Sequence, residues 1–263
     1  MDQTIKYMPL LASDSLTVVA GDAHIFKLRC WIPGENVQRA MVVLDDELIG
    51  EAIIGTVQAM LVGGEIEPVA IYSVGFGADQ FGDLYGKRAE YLTMEAADLG
   101  ALGIEKTGGG PELLSYLTER VLPAIESELP HLKRRPALAG YSLGGLFVLQ
   151  AATQFPHLFG DLSVFSPSLF LGNEVQADLD TLFSQEQSRR LFLAAGKLEQ
   201  DRAQTGLKQH MYELVAELGE RLEAVHGNRI ATRIVESETH YSLPFSTMPA
   251  MLRHLCGSPE ALG

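Results

Sequence analysis

The sequence is short of the residues on which several protein classes depend. Of its 263 residues only two are cysteine, Cys30 and Cys256, one near each end. They form no metal-type spacing, which argues against a disulfide scaffold or a thiolate zinc site. The expectation is a pair of reduced, mostly buried thiols and no bound metal or other cofactor. Cations are also scarce, with 20 Lys and Arg against 34 Asp and Glu, a formal charge of −14. Phosphate binding draws on clustered Lys and Arg, so a nucleic-acid partner is not expected. The compact basic run Lys133-Arg134-Arg135 reads as a solvated loop. No apolar stretch reaches the roughly 18 residues a membrane span needs. Met1–Leu10 carries Asp2 and a single Lys6, without a basic region ahead of an apolar one. A cytoplasmic protein with no membrane partner is therefore expected. Repeats and Pro/Ser-rich linkers are lacking too, so residues 1–263 read as one domain.

What is present is an alternation of short apolar runs and helical patterns. Leu16–Ala20 and His24–Pro33, split by Gly21-Asp22, predict an antiparallel N-terminal hairpin. Ala40–Leu44 and Pro68–Val74 read as buried strands, with helical spacing between them from Glu47 to Val62. Leu113–Leu129 is helical, and Ala137–Tyr141 is a very short strand that runs into a helix at Leu143–Phe155. Strands follow at Asp161–Phe165, Arg190–Ala195 and Arg229–Val235. A long amphipathic helix at Leu207–His226 separates the last two, and Thr247–Leu255 closes the chain as a helix. This order predicts an α/β fold, a mostly parallel central sheet with helices on both faces and no large lid domain. Gly75–Pro111 has no clear period and reads as a long functional loop forming a wall or lid.

Gly140-Tyr141-Ser142-Leu143-Gly144 is a G-x-S-x-G match set between a predicted strand and a predicted helix. A sharp strand-to-helix turn exposes a serine hydroxyl above the carboxyl edge of a sheet, and glycines let the two elements approach closely. Ser142 is the expected nucleophile, and the N–H of Leu143 an expected oxyanion donor. A serine needs a base, and in this arrangement the chain order is serine, acid, histidine. His24 and His131 precede Ser142, His157 ends a helix, and His210, His226 and His254 fall within helical patterns. His240 alone sits in a loop between the last strand and the last helix, and is the expected base. For the acid, Gly196-Lys197-Leu198-Glu199 follows a buried strand and makes Glu199 the first candidate, with Asp201 the alternative. The second oxyanion donor is expected from the backbone of Asp45 or Asp46, whose carboxylates could equally cap the following helix.

These residues resemble the enterochelin-esterase-like esterase family of the α/β-hydrolase superfamily. The resemblance spans roughly Ala40–Leu255 and rests on Leu44-Asp45, Arg88 with Glu90-Tyr91-Leu92-Thr93, and Leu113–Ile125. It also rests on Leu138–Phe147, Phe165-Ser166-Pro167-Ser168, Ala195–Glu199 and Glu238-Thr239-His240. It implies a nucleophile at Ser142, a base at His240 and an acid at or near Glu199, some relatives working with little help from an acid. Two departures stand out. Relatives usually have Gly where this chain has Asp46. They often carry paired Trp where Leu169-Phe170-Leu171 stand, so siderophore cleavage is less expected than cleavage of a generic ester.

The function expected is a serine esterase acting through an acyl-enzyme on a siderophore-, feruloyl- or simple acyl-ester-like small molecule. A relict binding protein on the same fold, and an acyltransferase using the same site, are the alternatives. Candidate substrate contacts are Tyr141, Arg88, Tyr91, Ser168 and Phe170. Whether Tyr72, Phe76, Phe81, Tyr85 and Tyr91 line the pocket or fill the long loop is open, as are monomer and homodimer.

Overall fold

A computed structural model describes residues 25–34, 36–78, 80–100, 103–171, 175–199 and 210–257. Among them seven strands form one sheet: β1 (Lys27–Trp31), β2 (Arg39–Leu44), β3 (Val69–Gly75), β4 (Ala137–Tyr141), β5 (Leu162–Phe165), β6 (Leu191–Gly196) and β7 (Ile230–Val235). The spatial order is β1-β3-β2-β4-β5-β6-β7. β1 runs antiparallel to β3 at one edge, and every other pairing is parallel. The expected mostly parallel sheet is thus present. The first arm of the expected hairpin, Leu16–Ala20, lies outside the described residues.

The inner strands β2–β6 are largely apolar because both faces are covered, whereas the edge strands β1 and β7 carry exposed Lys27 and Arg233. Along β2, Val42 and Leu44 face one core while Met41 and Val43 face the other. The first core packs under α2 (Phe81–Tyr91), α3 (Gly110–Tyr116), α4 (Leu122–Glu128), α5 (Leu143–Gln154), α6 (Val175–Gln185) and α7 (Met211–His226). The second packs under α1 (Glu51–Val62) and α8 (Leu243–Cys256). Cys30 and Cys256 are buried free thiols, and burial pushes both up to about 12. No described helix is long and apolar enough to cross a membrane.

Two segments differ from the sequence reading. Gly75–Pro111 is not a continuous loop, since α2 lies within it. The inward face of α2 includes Leu84, Arg88, Ala89 and Tyr91, so an arginine occupies a position that a helical period would fill with an apolar residue. Two glycines in the same helix weaken the signal further. The second is α6, inside Ser166–Arg189, where the sequence reading assigns no element. The described part of that stretch holds a 3₁₀ turn, Leu169–Leu171, and this helix, and no lid domain is inserted there.

Strand order changes direction around β2. The chain leaves β2 for β3 on one side and returns to β4 on the other. Ligand crevices of open α/β sheets form outside the carboxyl ends of strands at such a switch point. Asp45 follows β2 and Ser142 follows β4, so the two stand on either side of it.

Candidate active site

Ser142 links β4 to α5 with φ 59° and ψ −117°, a conformation that L-residues rarely adopt. Three backbone hydrogen bonds hold it there. Its N–H donates to the Phe165 carbonyl at 2.8 Å, and its carbonyl accepts from the N–H of Leu146 and of Ser168, each at 3.1 Å. The turn also needs bare backbone beside it. A Cβ on Gly140 would lie 2.3 Å from the Gly144 carbonyl oxygen, where no real side chain fits. As the first residue of α5, Leu143 has an N–H with no carbonyl one turn back to bond.

His240 Nε2 lies 3.0 Å from Ser142 Oγ, and His240 Nδ1 lies 3.0 Å from Glu199 Oε2. A carboxylate accepts, so Nδ1 carries the proton and Nε2 presents a lone pair to the serine hydroxyl. Glu199 is buried, and its other oxygen accepts from Ser166 Oγ at 2.6 Å and from the Gly196 N–H at 2.7 Å. With donors on both oxygens, its carboxylate plane is fixed. The acid and base loops are stitched together by backbone: Lys197 N–H donates to the Val235 carbonyl at 2.9 Å, and Leu198 N–H to the Glu238 carbonyl at 3.0 Å. Gly196 permits that approach, because a Cβ there would sit 2.2 Å from the Glu238 oxygen. Asp201, the alternative acid, lies outside the described residues.

Asp45 is also left-handed, with φ 67°, and its carboxylate is buried against Arg88. Burial pushes its carboxyl above the ordinary value while the Arg88 charge pulls the other way. The carbonyl of Asp45 accepts the N–H of Leu48 and of Ile49 at 2.9 and 3.0 Å, which folds Asp46–Gly50 into a wide helical turn ahead of α1. Glu47 pins that turn to the end of β3, its Oε1 accepting from the N–H of Phe76 and Gly77, both at 2.8 Å.

Residues 88–216, just under half of the chain, match the family described as "Putative esterase". Over 143 residues the chain is 31% identical to the ferri-bacillibactin esterase BesA of Bacillus subtilis, covering 52% of this chain and 48% of that protein. Over this stretch it is similar to the enterochelin-esterase-like esterases. Over 210 residues it is 27% identical to the iron(III) salmochelin esterase of Escherichia coli, covering 70% of this chain and 45% of that one. The matched regions span about half the length of these curated relatives. The fold is shared with the BES protein from Bacillus cereus, at a TM-score of 0.73 and 22% identity over 89% of this chain and 91% of that one.

The serine and histidine open onto a cleft of about 620 Å³. Tyr141, Arg88, Ser168 and Phe170 line it. Burial raises the Tyr141 phenol well above its ordinary value, so it stays uncharged. Tyr91 is the exception among the candidate contacts. Its ring packs against Phe26 and Phe76, with centroids 5.0 and 6.3 Å away, and belongs to the core rather than to the cleft. Tyr72 and Phe76 are buried in the same core, whereas Tyr85 borders the cleft.

Where the family resemblance sets a glycine, the Asp46 carboxylate turns away from the cleft. It meets Arg29 Nε at 3.1 Å and lies over Gly50. Neither Asp45 nor Asp46 lines the cleft, although Leu48 and Ile49 from the same turn do. The sequence reading assigned no task to Ser166 or Gly196. Ser166 has φ 44° and sits in the Ser-Pro-Ser segment, so its only sequence signal is that quoted motif.

Proposed function

We propose that the protein is a serine-dependent carboxylic ester hydrolase that works through an acyl-enzyme on a small-molecule ester. The observation that carries this reading is the unbroken Ser142–His240–Glu199 chain, 3.0 Å at each link, with the serine held in a left-handed turn. The named activities of the curated relatives, esterases of iron-loaded siderophores, support the same reaction class.

The steps follow from the proton positions. Ser142 Oγ attacks the ester carbonyl carbon as His240 Nε2 takes the hydroxyl proton. Glu199 holds the Nδ1–H and stabilises the imidazolium. The N–H of Leu143 holds the oxyanion. Collapse of the tetrahedral species breaks the bond to the alcohol oxygen, which leaves with the His240 proton. Water then adds to the acyl carbon, giving its proton to His240, and the acid departs as Ser142 recovers its hydrogen.

Ser142→Ala should leave the fold intact and remove hydrolysis of p-nitrophenyl esters by several orders of magnitude. A fluorophosphonate should label the wild-type chain once, on Ser142. Full turnover in the alanine variant, or labelling elsewhere, would end this reading.

A further inference from the structure

The cleft has an apolar composition and its one described cation is already engaged. Leu48, Leu99, Ile104, Phe170 and Leu171 form much of the wall. The rim is apolar as well. Leu198 is 53% exposed, Tyr241 74% and Phe245 50%, and all three border the opening beside His240. Large apolar side chains gathered at a mouth, rather than scattered, mark a surface that meets an apolar ligand. Among the described lining residues the only lysine or arginine is Arg88. Its guanidinium is buried and bound to both oxygens of Asp45, so that charge is cancelled where it stands. The Glu199 carboxylate, also in the lining, adds negative potential.

We propose that the cleft takes uncharged esters with a hydrocarbon acyl or alkyl part and discriminates against esters that carry negative charge. This rests on the ester-hydrolase reading and narrows its substrate class. An anionic ester would have to shed water without gaining a cation in the described walls, next to a carboxylate, a costly transfer. A hydrocarbon part instead gains from each methylene it buries, by a factor of up to about four.

The test compares p-nitrophenyl acetate, butyrate and hexanoate with p-nitrophenyl hydrogen adipate, whose six-carbon acyl chain ends in a carboxylate. Ethyl and hexyl acetate, followed by pH-stat, test the alcohol side. Hexanoate or hexyl acetate should exceed its short counterpart by at least tenfold in kcat/KM, and hexanoate should exceed the adipate by a similar factor. Phe245→Ser should lower turnover of the six-carbon ester at least fivefold more than that of acetate. Series flat on both sides, or adipate turned over as well as hexanoate, with turnover still lost in Ser142→Ala, would overturn the substrate class and leave the esterase standing. Wild-type rates no higher than those of Ser142→Ala on every ester would overturn both.

Discussion

The guanidinium of Arg88 grips both carboxylate oxygens of Asp45, at 2.6 and 3.1 Å, and its Nη2 also reaches the Tyr141 carbonyl at 3.3 Å. One side chain on α2 therefore braces the turn after β2 and the residue before Ser142. The two halves of the expected oxyanion hole come from those same two segments. Arg88→Met should leave an unpaired buried carboxylate and cost about 3–5 kcal/mol in urea unfolding. Its kcat should fall at least tenfold with KM little changed, because the misplaced group acts in the transition state. Arg88→Lys should recover some stability and little kcat, since an ammonium cannot reproduce the fork. A stable Arg88→Met variant with normal kcat would show the pair to be packing alone.

Glu199 is held from both sides, by the His240 ring on one oxygen and by Ser166 and Gly196 on the other. Glu199→Gln should keep the fold and lower kcat by about 10²–10⁴, as in triads whose acid is neutralised. The amide can satisfy the two donors with its oxygen, but it then turns an NH₂ toward Nδ1 and selects the wrong tautomer. Asp201→Asn should cost little by comparison. Ser166→Ala should fall between them, because it frees the carboxylate to rotate without removing its charge. Steady-state kinetics on one p-nitrophenyl ester ranks all three. A loss confined to Asp201→Asn would move the acid two residues along the chain.

The sequence makes the proposed catalytic line readable because each member lies just beyond a strand. Ser142, Glu199 and His240 lie one, three and five residues beyond the ends of β4, β6 and β7, and apolar runs bounded by Gly or polar residues mark those strands clearly. The supports are harder to read. Arg88 reads as a substrate contact until α2 is seen to set its guanidinium on the buried Asp45 carboxylate. Tyr91 sits three positions further on the same helix and resembles a wall residue. Only the position of Phe26, on a segment far away in sequence, shows that its ring closes a core. Long-range packing decides both cases, and local spacing carries no trace of it.

His254 lies within α8, its Nε2 3.1 Å from the Arg229 carbonyl and its ring near Phe192. Burial, with nearby Arg190, holds its pKa below the ordinary value of about 6.5, while the Arg229 carbonyl and Asp161 pull upward. The unfolded chain then binds more protons than the folded one as pH falls through 6.5. The contribution is complete above that pH and is lost progressively below it. His226, lowered by burial and by Arg229, acts in the same direction. The urea midpoint should therefore respond to pH between 7 and 5.5 through these groups. In His254→Gln, which keeps an N–H for the Arg229 carbonyl, acidification over that range should cost less stability than in the wild type. An unchanged or steeper loss in the variant would contradict the assigned sign.

Glycines offer the last contrast, because the same substitution should act oppositely at two sites. Gly140 lies in β4, where an added Cβ would meet the Gly144 carbonyl at 2.3 Å and the Val148 side chain at 2.9 Å. Relief requires α5 to back away from β4, and the Ser142 turn is the joint between them. Gly140→Ala should therefore unfold at lower urea and lose esterase activity by more than its stability loss explains. Gly55 sits inside α1 with nothing within 4 Å of its added Cβ, so Gly55→Ala meets no obstacle. There the methyl only restricts the unfolded chain and favours the helix, for a gain of about 0.5–1 kcal/mol. Activity should be unchanged, since α1 packs on the second core. Urea denaturation and initial rates, measured on both variants, decide the matter. Equal destabilisation at the two positions would mean that the close β4–α5 contact is not what makes Gly140 necessary.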